Sequence, residues 1–216
     1  FDKVFTEGIS KITAQDFKYA EALGFRIKHL GIARRAETGI ELRVHPTLIP
    51  AEELLANVNG VKNAVLVQSN AVGPTLYYGA GAGAGPTASA VVADIVDIVR
   101  DIIYTEDGAG TIPQLAFENL TDLPILSREE MTTGYYIRIN ADDQTGVLAE
   151  VTSILSRNGI SIDAIMQQSR LKDLIPIVIL TDPVKEAKMD EALKQIQALP
   201  VIHGEIVRIR LESLDN

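Results

Sequence analysis

The chain has 216 residues, enough at roughly 100 to 200 residues per domain for one large domain or two small ones. Hydrophobic residues make up 46% and charged residues 23%, the balance of a soluble globular protein rather than a disordered one. Basic residues number 20 against 29 acidic, so the net charge of −9 argues against nucleic acid or an anionic membrane as partner, and the lack of cysteine removes disulfides, thiolate catalysis and thiolate metal sites.

The opening FDKVF has neither a basic leader nor a long apolar run and reads as the start of a piece of something longer. No apolar stretch reaches the roughly 18 residues of a membrane span, so a cytoplasmic location is expected. The first element is a helix in TAQDFKYAEALG. Thr13 and Asp16 have capping-box spacing, Phe17, Ala20 and either Tyr19 or Leu23 supply an inward stripe, and Gly24 can close the helix in a left-handed cap. Ile40, Leu42 and Val44 then alternate with Glu41, Arg43 and His45, the period of a strand covered on one face. Ala64 to Gln68 and Thr75 to Gly79 read as further strands, with Asn59-Gly60 and Ser69-Asn70 as turn signals, which predicts a largely antiparallel α+β unit.

In GAGAGPTASAVVADIVDIVRDII, Thr87 or Ser89 can cap a helix running to about Ile103. Asp94, Asp97 and Asp101 share one stripe of it, and the other faces are filled by Val and Ile. That is more apolar surface than a peripheral helix needs, so cover on two sides is expected.

Charge locates a boundary beyond this helix. Residues 1–105 carry 10 basic and 11 acidic side chains, residues 106–134 carry 1 and 6, and residues 135–216 carry 9 and 12. The middle piece, with Gly108, Gly110, Pro113, Pro124 and Gly134, reads as a connector that packs locally through Leu115, Phe117, Leu123 and Ile125. After it, strands are expected at Tyr135 to Asn140, Ile160 to Gln167, Leu174 to Leu180 and Glu205 to Leu211, and helices at Gly146 to Arg157 and Pro183 to Leu199. The order βαββαβ packs two helices on one face of a four-stranded antiparallel sheet, whose other face is expected to dimerise or to touch another domain.

Two segments invite a ligand. Gly79, Gly81, Gly83 and Gly85 precede the long helix, where backbone can approach a ligand closely and free amides favour an anion or a polarised group. No Lys-Ser/Thr follows, so it is not a Walker loop, and no ribose-binding acid follows on a downstream strand, so it is not a βαβ dinucleotide fingerprint. The competing reading is a tight turn that lets the helix pack. Asp142, Asp143, Gln144, Thr145 and Gly146 lie between a strand and a helix start, either as a small polar ligand site or with Asp143 or Thr145 merely capping the helix. His45, Lys28, His29 and Glu41 are the basic and acidic groups of the first segment that invite a catalytic story, with Lys62 beside them. No matched set of acid, base and electrophile is present, and neither a catalytic residue nor a metal site is assigned.

GISKITAQDFKYAEALGFRIKHLGIA, VHPTLIP, LANVNGVKNAVLV and YYGAGAGAGPTASAVVADIVDI together resemble, in order and spacing, the later part of homoserine dehydrogenase. YIRINADDQTGVLAEVTSILSRNGISIDAIMQ resembles an ACT domain, the regulatory module that follows the catalytic part in longer bacterial members. The resemblance implies an α+β fold in two domains: an antiparallel-sheet fragment of the catalytic region over 1–105, the connector over 106–134, and a βαββαβ ferredoxin-like ACT domain over 135–216. It implies an oxidoreductase interconverting L-homoserine and L-aspartate 4-semialdehyde with NADP or NAD in threonine, methionine and isoleucine biosynthesis. The family's Rossmann domain, substrate-binding Glu and catalytic Lys precede the point where this chain starts, so the chain alone is expected to be inactive and to bind no cofactor tightly.

The same resemblance makes Gly83 the cofactor contact, with Gly81, Ala84, Gly85 and Thr87 as neighbours, and gives the apolar helix a partner in the preceding domain. It makes Asp143, Gln144, Thr145 and Gly146 the site of an amino-acid effector, threonine in this family. Thr145 stands where the ACT motif commonly has Pro, which keeps a cap and gives up the preset φ. A homo-oligomer, dimer or tetramer, is expected through the Tyr135 to Asn140 and Glu205 to Leu211 strands. The alternative reading is a standalone amino-acid-binding ACT regulator without catalysis.

Overall fold

A computed structural model describes residues 2–104, 122–167 and 174–214. The chain divides into two compact units, 1–56 with 123–216, and 57–122. This differs from the expected succession 1–105, 106–134 and 135–216, because the first 56 residues share a sheet with the last third of the chain.

In the larger unit, β1 (Phe5–Thr6), α1 (Ala14–Ala22), β2 (Phe25–Arg35) and β3 (Ile40–Pro50) precede the βαββαβ series. That series is β6 (Thr132–Asp142), α3 (Val147–Arg157), β7 (Ile162–Gln167), β8 (Leu174–Lys185), α4 (Glu186–Gln197) and β9 (Ile202–Leu211). The strands form one seven-stranded sheet in the order β1-β3-β9-β6-β8-β7, with β2 along β3. Its β9-β6-β8-β7 portion is the antiparallel ferredoxin-like sheet. The join is short: β3 pairs parallel with β9 at Thr47↔Arg210 and Leu48↔Leu211, and parallel with β1 at Phe5↔Arg43 and Thr6↔Val44.

Period-two alternation along β6 sends its side chains into two cores. Tyr135, Ile137, Ile139 and Ala141 meet Val151, Ile154 and Leu155 of α3 and Met189, Ala192 and Ile196 of α4. Tyr136 faces the other way with Val178, Leu180, Val207 and Ile209, and there meets Tyr19 and Ala20 of α1 and Leu48 of β3. The second face of this four-stranded sheet, expected to dimerise or to touch another domain, is therefore covered by residues of the first 56.

Several local readings shift. In α1 the buried residues are Asp16, Tyr19 and Ala20, whereas Phe17 is 53% exposed. Gly24 takes φ +84° after the helix, as the left-handed cap requires. β2 had no clear alternation to mark it; its 11 residues are in register with the whole of β3, so tertiary pairing fixes it. β8 runs on to Lys185 and α4 starts at Glu186, three residues after the expected Pro183. Pro183 is tolerated because the β6–β8 register shifts between Thr133 and Tyr135, opposite it, and no ladder bond is asked of its nitrogen.

The smaller unit holds a hairpin, β4 (Lys62–Ser69) with β5 (Gly73–Ala80), followed by α2 (Ala84–Tyr104). The Val and Ile side chains of α2 are exposed, Ile102 by 73% and Ile98 by 56%, and the hairpin of the same unit does not cover them. Of the expected connector contacts, Gly108, Gly110, Pro113, Leu115 and Phe117 lie outside the described residues. Ile125 bridges to Ile40, with the Ile40 N–H donating to Pro124 O at 2.9 Å and the Leu126 N–H to Ile40 O at 2.9 Å.

Candidate functional site

The glycine segment and the Asp142–Gly146 loop fall in different compact units. At the first, the hairpin delivers the chain into α2, and everything from Gly79 to Thr87 is exposed. Gly83 has φ +122°, a conformation that only glycine adopts without strain, and a Cβ placed there would meet the Pro86 ring at 3.4 Å. The Gly81 N–H donates to Val61 O at 3.3 Å, and a Cβ on Gly81 would strike the Asn63 carboxamide. Around a Cβ built on Gly79 or Gly85 there is nothing within 4 Å.

The helix begins at Ala84, so Gly85, Pro86 and Thr87 form its first turn and neither Thr87 nor Ser89 caps it. The Thr87 N–H already donates to Gly83 O at 3.0 Å. Pro86 is tolerated there because first-turn nitrogens have no carbonyl partner within the helix. The result is an exposed backbone segment ending in a helix N-terminus, whose first amides favour an anion or a polarised group.

At the second site, Gly146 rather than Asp143 or Thr145 is the N-cap of α3, with φ +93°. The cap is formed by backbone: the Glu150 N–H donates to Gly146 O and the Gln144 N–H to Asp142 O, each at 2.9 Å. Asp143, Gln144, Thr145 and Gly146 are all exposed. Asp142, at the end of β6, pairs through Oδ1 with His203 Nε2 of β9 at 2.7 Å. His203 was not legible as a site residue: it lies 61 positions away and reaches the loop only through the β6–β9 register, which places it opposite Asn140.

The four groups of the first segment are not a catalytic set. His45 is fully buried in mid-strand, not in a cleft. Its Nδ1 lies 3.0 Å from both Pro46 O and Thr47 Oγ1, and Nε2 is 3.5 Å from Arg43 Nη1. Burial, with the charges of Arg210 and Arg43 nearby, holds the imidazole down at about 4, so it is neutral at pH 7. Glu41 lies beside Arg43 and Arg34, and Arg43 also binds Glu212, a charge-paired core rather than a reactive centre. Lys28 and His29 are successive residues of β2 and so point to opposite faces. Burial and the Arg26 charge hold the Lys28 ammonium below its ordinary range. Lys62 lies 5.7 Å from the centre of the Tyr78 ring. Asp97 pairs with Arg100 at 3.5 Å on the exposed side of α2, and no cluster of three or more metal-ligating side chains occurs among the described residues.

Two further buried ion networks were invisible in the sequence. Arg210, fully buried, donates to Glu186 from Nε at 3.0 Å and to Glu7 from Nη1 at 3.1 Å, and Tyr135 donates its hydroxyl to Glu186 at 2.7 Å. Burial pushes the Glu186 carboxyl up, but the Arg210 and Arg208 charges outweigh it and leave it below the usual range. Asp16 is fully buried against Arg138, at 2.6 Å from Nε, and Tyr136, at 2.9 Å from the hydroxyl. Its carboxyl too ends below the usual range, burial being outweighed by the bonds from Arg138 and Thr13.

The family model for homoserine dehydrogenase matches residues 1–96, and the ACT domain model matches residues 135–201. A homoserine dehydrogenase of Pseudomonas aeruginosa is 54% identical over all of this chain and 50% of its own length. One of Neisseria gonorrhoeae is 48% identical over 99% of this chain and 49% of its own length. The crystal structure of a homoserine dehydrogenase from Thiobacillus denitrificans superposes with a TM-score of 0.89 at 54% identity, covering 99% of this chain and 48% of that one. The chain spans about half the length of the relatives it matches. Relatives that match along the whole of this chain are named for the enzyme, which disfavours a standalone ACT regulator. No described helix is long and apolar enough to cross a membrane. The chain belongs to the homoserine dehydrogenase family, carrying a catalytic-region segment followed by an ACT domain.

Proposed function

We propose that this chain is the rear of the catalytic region and the regulatory domain of a homoserine dehydrogenase that interconverts L-homoserine and L-aspartate 4-semialdehyde in the cytoplasm, within threonine, methionine and isoleucine biosynthesis. The observation that carries this reading is the identity of 54% and 48%, along the whole of this chain and about half of theirs, with proteins named for that enzyme. A nicotinamide cofactor, NADP or NAD, supplies hydride chemistry when bound. The part of this chain is to position it: the exposed segment at Gly83, with Gly81, Ala84, Gly85 and Thr87, sets how closely the backbone and the first amides of α2 approach the ring. The exposed Val and Ile side chains of α2 support a further domain as their cover. The test is turnover. The complete protein that carries this chain is expected to reduce L-aspartate 4-semialdehyde with NAD(P)H, and the 216-residue chain alone is expected not to. A complete protein without turnover, or turnover by the chain alone, would refute the reading.

The ACT domain is proposed to bind an amino-acid effector, threonine, at Asp143, Gln144, Thr145 and Gly146, beside the Asp142–His203 pair. Calorimetry is expected to register threonine binding; no heat with threonine, methionine, isoleucine or lysine would remove the site. A homo-oligomer, dimer or tetramer, is proposed as well; of the two strands expected from sequence, only the one at Glu205 to Leu211 keeps an open side. β6 is paired along both sides, by β8 and β9, and offers no edge, whereas β3 pairs with β9 only at Arg210 and Leu211 and leaves that side of residues 202–209 without a strand partner among the described residues. Within the larger unit β1, β2 and β7 also have one side without a strand partner among the described residues. Of these, β2 carries Arg26, Lys28, Arg34 and Arg35, which discourage strand addition, whereas β7 carries Asp163 alone and is the more suited to pairing. Sedimentation showing a monomer at micromolar concentration would count against the oligomer.

A further inference from the structure

The ACT sheet has helices on one face only, and its other face carries Tyr136, Val178, Leu180, Val207 and Ile209, each exposed by 6% or less. Residues 2–56 are what bury them. The contact is also chemically committed. The Asp16 carboxylate accepts from the Thr13 N–H and hydroxyl, both at 2.8 Å, which caps α1. The same carboxylate accepts from Tyr136 at 2.9 Å and from Arg138 at 2.6 and 3.1 Å, both on β6. One buried anion therefore starts a helix of the catalytic-region segment and neutralises a buried cation of the ACT sheet.

We propose that Asp16 latches residues 2–56 to the ACT sheet so that the two open only together, as one cooperative unit, and that the ACT domain of this protein is not an autonomous module. Peeling α1 away would leave the Arg138 guanidinium, 6% exposed, without its counter-charge. Peeling β1, β2 and β3 away would take Glu7 from Arg210, and Arg43 and Arg34 from Glu212. It would also break the backbone bond from the Glu212 N–H to Leu48 O at 3.0 Å. Breaking a buried pair by removal of one partner shifts an opening equilibrium on the order of 10²- to 10³-fold, so partial opening gains little over opening the whole. A consequence is that any change of the ACT sheet moves α1 and β3 directly. That consequence for regulation rests on the proposed effector site; the latch does not.

Native-state hydrogen exchange on the intact chain in rising guanidinium tests it. The slowest amides of α1, around Tyr19 and Ala20, and of β3, around Leu48 and Ile49, are expected to merge with those of β6 and β8, around Tyr136 and Val178, in a single opening. Asp16→Asn is expected to speed exchange in all four by the same factor, on the order of ten or more. Tyr136→Phe keeps the ring in the core, loses one bond to Asp16 and should do the same to a smaller extent, which provides the reading if Asp16→Asn does not fold. Opening of α1 and β3 at lower denaturant with β6 and β8 still protected would overturn the proposal, as would an effect of either substitution confined to α1.

Discussion

Acid should unfold the larger unit in two stages, and His45 sets the first. The imidazole is fully buried, touches Thr47 and the Pro46 carbonyl, and faces Arg43, so a proton added to it places a third positive charge beside Arg43 and Arg210. Its folded-state value of about 4 lies below the reference of 6.5. A histidine depressed in this way contributes stability that is fully present above 6.5 and is lost as pH falls from there toward 4. At 1.36 kcal/mol per unit, the difference is worth about 3 kcal/mol in all, with about 2 kcal/mol of it lost between pH 7 and pH 5. Asp16 and Glu186 have the opposite chemistry and the same sense. Their lowered values give stability present above the ordinary carboxylate range and lost below it, so they act only after His45 has been spent. The assay is a series of urea titrations from pH 7 to pH 5 on the chain and on His45→Asn, whose amide can replace Nδ1 against Thr47 and Pro46. His29 and His203 are common to both proteins and cancel in the difference. The native protein should lose about 2 kcal/mol more than the variant across that range. Parallel pH profiles would show that His45 is protonated in the folded state or unfolds with no cost, and the argument from burial would fail.

Gly39→Ala should destabilise the larger unit by about 1 to 3 kcal/mol or more, because the new Cβ would sit 2.3 Å from Pro124 O, the acceptor of the Ile40 N–H; an unchanged thermal midpoint would count against this packing. In the complete enzyme, Gly83→Val should weaken NAD(P)H binding by about 1 to 3 kcal/mol through backbone strain at φ +122°, with threonine binding nearly unchanged. A folded Gly83→Val enzyme with unaltered cofactor affinity and only lower thermal stability would make the loop a structural turn.

Elements whose signals are local were legible. The Thr13–Asp16 box, Gly24 after α1 and the βαββαβ order follow from side-chain spacing and turn chemistry within a few residues and are present in the fold; the strand at Ile40 to His45 is present too, but it buries Glu41, Arg43 and His45 and leaves Ile40, Leu42 and Val44 half-buried, the reverse of the expected cover. The glycine segment and the Asp142–Gly146 loop were legible as exposed strand-to-helix junctions for the same reason, and their family assignment came from blocks of matching residues rather than from physics.

What the sequence could not determine is everything that depends on which strand lies beside which. Asp16 looks like a helix-capping residue until Arg138 and Tyr136, 122 and 120 positions away, are folded against it. Phe17 looks like core and Asp16 like surface, yet the reverse holds, because the face of α1 that docks is chosen by a buried cation on the sheet and not by apolar count. His45 looks like a cleft residue because a strand end and a Pro follow it, but β2 and β3 run on in register past it and bury it. His203 finds Asp142 only through the β6–β9 ladder. The sequence alone determined the local units, since propensity and periodicity act over one or two turns, but not which face of α1 or of β3 is buried. Only the tertiary structure decided that the first 56 residues and the ACT domain share one sheet, since that rests on two residue pairs of parallel backbone and on charges matched across the whole chain length, neither of which leaves a periodic trace.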